Sequence, residues 1–150
     1  MLAAVAGLRS QSDLDMTRVI LAGQSAGGDT VMFLSTQALD GVKGVINFAG
    51  GRSNHSANST ANFENPMMIS GWGSLGKQAI HPALLVFAEN DSRYSANTIR
   101  KSAQAFTDAG GKAELLLFPA ITGDGHFIHR RPDLWLSGIT RFLKDLGFVP

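Results

Sequence analysis

The stretch RVILAGQSAGGD, residues 18–29, sets one serine among small residues: Ser25 lies between Gly23 and Gly27 in the pattern G-x-S-x-G. A serine hydroxyl becomes a useful nucleophile when a base takes its proton and a strained turn lifts it clear of the surrounding backbone. Such a turn brings the positions two before and two after the serine close to neighbouring backbone, which favours glycine at both. The first amide of the helix that follows, that of Ala26, and the positive end of that helix would then face a developing oxyanion. A phosphate cradle is the competing reading, because G-x-x-x-x-G also runs from Gly23 to Gly28, with Thr30 two places on. That cradle needs a lysine where Asp29 stands, and a carboxylate there would repel the ligand. The phosphate reading is excluded.

A nucleophilic serine needs a histidine, and the histidine needs a carboxylate to orient it; after a serine on such a turn, the acid comes next in the chain and then the histidine. Asp91, in LLVFAENDSRYS, stands just past an apolar run, with Glu89 as the competing acid nearer the run's end. His126, in FPAITGDGHFIHRR, is the first candidate base and His129 its competitor. Gly123 and Gly125 free the loop to bring His126 back over the sheet, whereas His129, followed by Arg130 and Arg131, is expected on the surface. His55 and His81 lie outside such loops and read as ordinary polar or capping residues. The spacing of His126 and His129 has no third ligand and no H-E-x-x-H pattern beside it, so no metal is expected.

The elements that must position these residues are legible as an alternation. Four short apolar runs, residues 18–22, 42–48, 83–87 and 113–118, are rich in Val, Ile and Leu, as parallel strands covered on both faces are. Helical segments follow them: residues 26–39; residues 95–109, with Ser95 as N-cap, Ile99, Ala103 and Phe106 on one stripe and Gly110-Gly111 as the stop; and a last helix opened by Pro132. Its residues Leu134, Trp135, Ile139, Phe142, Leu143 and Leu146 fall largely on one face. Strands alternating with helices predict an α/β fold around a parallel sheet. Residues 51–80, rich in Asn, Ser and Gly, break the rhythm and read either as a surface crossover or as a cover over the substrate.

Composition narrows the classes. A length of 150 residues suits one domain, and 13 Lys+Arg against 12 Asp+Glu leaves no basic surface for nucleic acid. No apolar stretch approaches the roughly 18 residues that span a bilayer, and MLAAVAG lacks a signal sequence's basic start. The absence of cysteine excludes disulfides, thiolate metal sites and a cysteine nucleophile, and fits either a cytoplasmic or an exported protein.

The segments GQSAGG, AEND and GDGH, in this order, resemble the C-terminal half of an α/β-hydrolase and are most similar to the dienelactone hydrolase and prolyl-oligopeptidase-like branch. The resemblance runs over residues 12–142. It implies a partial α/β-hydrolase fold of about four parallel strands with flanking helices, lacking the N-terminal strands. It also implies Ser25 as nucleophile, Asp91 as acid, His126 as base and the Ala26 amide as one oxyanion donor. No cofactor is implied. The activity expected is hydrolysis of a small carboxylic ester or lactone through an acyl-enzyme; a serine peptidase or a non-catalytic relative are the alternatives. Family members carry several strands ahead of the nucleophile strand, and a Gly-rich loop after one of them supplies a second oxyanion donor. Here only residues 1–17 precede that strand, in part resembling its preceding helix, and Gly50-Gly51 comes after the elbow. A fragment of a longer hydrolase is therefore expected. Its first strand would be an apolar edge of Val19, Ile20 and Leu21 that invites self-association.

Overall fold

The computed structural model describes residues 2–52 and 64–149; His55 and the middle of the 51–80 crossover lie outside the described residues. In chain order the elements are α1 (Leu2–Leu8), β1 (Val19–Gln24), α2 (Ala26–Leu34), β2 (Val42–Phe48), α3 (Pro66–Gly76), β3 (Ala83–Ala88), α4 (Ala96–Asp108), β4 (Ala113–Phe118), a short 3₁₀ helix (Gly125–Arg130) and α5 (Pro132–Asp145).

The four strands form one parallel sheet in the order β1-β2-β3-β4, so each crossover steps to the next position in the same direction. Right-handed crossovers that all step one way stack their helices on one face. There α2, α3 and α4 lie side by side, with α3 packed closely along α4. The chain turns to the other face after β4. Phe142 and Leu146 of the C-terminal segment cover Gly44, and Trp135 meets the Phe48 ring edge-on at 5.1 Å. β3, ALLVFA, is buried at every position because it has a strand on each side and a helix on each face. β1 and β4 form the two edges of the sheet.

Local sequence explains the element boundaries. Ser95 caps α4, accepting the Thr98 amide at 3.2 Å, and Ile99, Ala103 and Phe106 face the core. Pro132 opens α5, where a missing N–H costs nothing. α2 is shorter than the periodicity over residues 26–39 predicts. Its last carbonyls are taken by side chains, Ser35 Oγ bonding Met32 O and Thr36 Oγ bonding Phe33 O, and the Ser35 carbonyl accepts the amides of Ile80 and His81. The chain is thereby drawn off the helix axis. Within the aperiodic stretch, Asn65 caps α3 by accepting the Met68 amide, and Met68 and Trp72 go fully into the core, with Trp72 edge-on to Phe87. Part of the 51–80 crossover is thus a member of the helix layer.

Candidate active site

The carboxyl ends of β1 and β3 and the loop after β4 converge on one place. Ser25 sits between β1 and α2 with φ 54° and ψ −119°, a conformation that an L-residue holds only where its surroundings enforce it. The enforcement is visible. The Ser25 amide donates to the Phe48 carbonyl at the end of β2, and its own carbonyl accepts the Asp29 amide. A side chain at Gly23 would place its Cβ 2.2 Å from the Gly27 carbonyl oxygen. The second close approach differs from the one the motif predicts. A Cβ at Gly27 meets nothing within 4 Å, whereas one at Gly28 would lie 2.2 Å from Asn47 Oδ1. Gly28 faces β2 and is buried, so the steric requirement has moved one residue along the helix. Ala26 opens α2, where first-turn amides have no partner within the helix.

His126 Nε2 lies 2.9 Å from Ser25 Oγ, and its Nδ1 lies 3.2 Å from each of the two carboxylate oxygens of Asp91. With Nδ1–H donating to Asp91, Nε2 is left as the acceptor for the serine hydroxyl. Asp91 is 2% exposed and His126 7% exposed, so the pair is screened little by solvent. Asp91 Oδ1 also accepts the amides of Arg93 and Tyr94 at 2.7 and 3.2 Å, which fixes the carboxylate at the entry to α4.

The competing residues go elsewhere. Glu89, its side chain 43% exposed, pairs with Arg100 of α4. His129 is not on the open surface: its Nδ1 is enclosed without a partner, and burial, followed by the charges of Arg130 and His126, lowers its pKa. The ring lies edge-on to Phe127 rather than in line with Ser25. His81 Nε2 bonds the Gln37 carbonyl.

Tyr94 forms the wall behind the imidazole, its ring 6.1 Å from that of His126. Its hydroxyl donates to the Gly51 carbonyl at 2.5 Å, and burial, reinforced by the charges of Asp91 and Asp29, pushes its pKa up to about 12. Sequence reasoning missed Tyr94. Its only signal was its position, three residues after the candidate acid. Apart from Ser25, Asp91 and His126, none of which lines it, Phe33, Met67, Met68, Trp72 and Leu75 enclose a mostly apolar cavity of about 490 Å³ between α2 and α3, with the Asp29–Arg52 ion pair at 3.5 Å on its border.

A parallel sheet whose first turn lifts a strained serine toward a histidine and a buried aspartate is the architecture of an α/β-hydrolase. The chain belongs to the dienelactone hydrolase family, whose sequence profile matches residues 1–133. No curated protein matches it in sequence. Among solved structures it is similar to an esterase of Pyrococcus furiosus, with TM-score 0.70 and 14% identity over 95% of this chain and 59% of the esterase. It is similar as well to a puromycin-hydrolyzing peptidase of Mycobacterium tuberculosis, with TM-score 0.70 and 22% identity over 99% of this chain and 25% of the peptidase. An acetyl ester-xyloside bifunctional hydrolase of Caldicellulosiruptor lactoaceticus gives TM-score 0.66 and 17% identity over 98% and 64% of the two chains. At these identities the likeness is one of fold, and the chain spans less than two-thirds of the length of each of them.

Proposed function

We propose that the protein is a serine hydrolase that cleaves a small carboxylic ester or lactone through an acyl-enzyme. Ser25 Oγ attacks the carbonyl carbon while His126 Nε2 takes its proton, and the imidazolium is held by Asp91. The tetrahedral oxyanion faces the Ala26 amide and the N-terminus of α2. Its collapse expels the alcohol, which receives the proton from His126. A water, deprotonated by the same Nε2, then attacks the acyl-Ser25 ester and releases the acid. The observation that carries this reading is the unbroken line from Ser25 Oγ through the imidazole to Asp91, at 2.9 and 3.2 Å.

A fluorophosphonate probe tests the assignment. The expected result is one phosphonylated site, at Ser25, in the 150-residue chain and none in Ser25→Ala. Among the described residues the Ala26 amide is the donor placed at the oxyanion, and with one donor labelling is expected about 10²- to 10³-fold slower than in a hydrolase with two. Labelling that persists in the Ala variant, or that maps to another serine, overturns the reading.

A further inference from the structure

The Asp91–His126 contact joins the loop that leaves β3 to the short 3₁₀ helix that follows β4. Two side chains outside the reacting line bridge them. Asn90, next to the acid, behaves as a piece of inserted backbone: Nδ2 donates to the carbonyls of Ile121 and Gly123 at 2.9 and 2.8 Å, and Oδ1 accepts the Ile121 amide at 2.9 Å. Its carbonyl accepts the Gly125 amide at 3.1 Å. Asp124, two residues before the base, answers from the other side. Its Oδ1 accepts the amides of Ser92 and His126 at 3.0 and 2.9 Å, and Oδ2 accepts the Ser92 hydroxyl at 2.6 Å. A Cβ at Gly125 would stand 2.7 Å from the Asp91 amide nitrogen, so the two loops touch backbone to backbone between the bridges.

From this arrangement we infer that Asn90 and Asp124 are positioning residues: a two-point clamp that sets the Asp91–His126 geometry before any substrate arrives. Neither touches the reacting atoms. Each of the bridged carbonyls and amides belongs to a non-repetitive segment whose polar groups need partners, and the clamp supplies them from the opposite loop. Without it, Gly123, held at φ 82°, would hinge the base loop freely. A displacement of about 1 Å at a catalytic group costs on the order of 10²-fold in rate. Gln24 adds a third, longer contact, its Nε2 donating to the His126 carbonyl at 3.3 Å.

The clamp rests on the hydrolase reading for its consequence, but its geometry can be read separately. In the 150-residue chain, the His126 Nδ1–H bonded to Asp91 should give a downfield proton resonance that disappears in His126→Ala. Asp124→Ala should broaden or abolish that resonance and lower kcat for a small aryl ester by about 10- to 10²-fold, with KM within a factor of about two. Asp124→Asn keeps the acceptor for both amides and gives Ser92 a new partner, so it should restore the resonance and most of kcat. Asn90→Ala should follow Asp124→Ala. Ser92→Ala, which leaves the cap on His126 intact, should fall between them and serves if Asp124→Ala fails to fold. A wild-type resonance and kcat in Asp124→Ala, or equal damage from the Ala and Asn variants, overturns the clamp. Absence of turnover in the wild type, with the resonance responding as stated, instead removes the hydrolase reading and leaves the clamp standing.

Discussion

Ser25 and His126 are held in place by different physics. Around Ser25 the constraint is steric: Gly23 admits the backbone of Gly27, and Gly28 the side chain of Asn47 on the neighbouring β2, at distances that no Cβ allows. The turn stores strain, about 1–3 kcal/mol for a residue at such φ and ψ, which the flanking β1 and α2 absorb. Around His126 the constraint is polar and non-local. The 3₁₀ helix that carries it is tied to the loop after β3, the Gly125 amide donating to the Asn90 carbonyl and Asp124 accepting the Ser92 amide, across more than thirty residues of sequence. The comparison teaches that close approach at Gly23 and Gly28 is enough to set the elbow, whereas the loop around His126, itself tightly packed at Gly125, depends in addition on polar partners far away in the chain.

The largest expected effects come from the polar side of that contrast. His126→Ala should lower turnover of a small aryl ester by about 10³-fold or more, and Asp91→Asn, which leaves Nδ1–H without its carboxylate, should be comparably severe. His129→Ala and Glu89→Gln should each stay within a few-fold of wild type. A Glu89→Gln enzyme more damaged than Asp91→Asn would move the acid and break the geometric argument.

Smaller effects are expected at the elbow. Gly23→Ala and Gly28→Ala should each destabilise by about 1–3 kcal/mol in a urea titration, because added bulk meets backbone or a buried amide that is itself bonded to Gly50. Gly27→Ala, at an open helical position, should be neutral or stabilising by up to about 1 kcal/mol. Equal costs at Gly27 and Gly28 would show that the motif's pattern, rather than the contact with β2, sets the requirement.

The smallest effect is a pH dependence of the base loop. Burial raises the pKa of Asp124, but the hydrogen bonds from the Ser92 side chain and the amides of His126 and Ser92 outweigh it, and the net shift is downward. A depressed pKa means that the carboxylate stabilises the fold above the ordinary carboxyl range, and that this contribution is lost as pH falls through the folded value. Between about pH 5 and pH 3 the urea midpoint of the wild type should therefore fall slightly more than that of Asp124→Asn. Parallel curves would show that the charge contributes nothing.

The elements that could be read without a structure are those whose signal is short-range. The four apolar runs, the Ser95 cap and the Pro132 start recur in the observed strands and helices because burial on both faces and capping depend on neighbours in sequence. The helix α3 was hidden because its buried face, Met68, Trp72 and Gly76, includes a glycine while apolar Met67 is exposed on the other side, so no apolar stripe stands out in the sequence. The end of α2 was misplaced because a hydrogen bond to Ile80 and His81, more than forty residues away, decides it.

The candidate site divides along the same line. Sequence alone determined that Ser25 lies on a glycine-flanked turn after an apolar run, since that pattern is contiguous and its cause is local backbone crowding. It favoured Asp91 over Glu89 only by placement at the strand's end, since their even spacing puts both on the same side of an extended strand. The turn closed by the Asp91 amide on the Ala88 carbonyl separates the two, leaving Glu89 to Arg100 and swinging Asp91 toward His126. Sequence alone could not find Asn90 and Asp124 as bridges, because each is defined by partners some thirty residues away. Hydrogen-bond partners so distant in sequence are set by how the loops after β3 and β4 meet, and only the packed sheet brings those loops together.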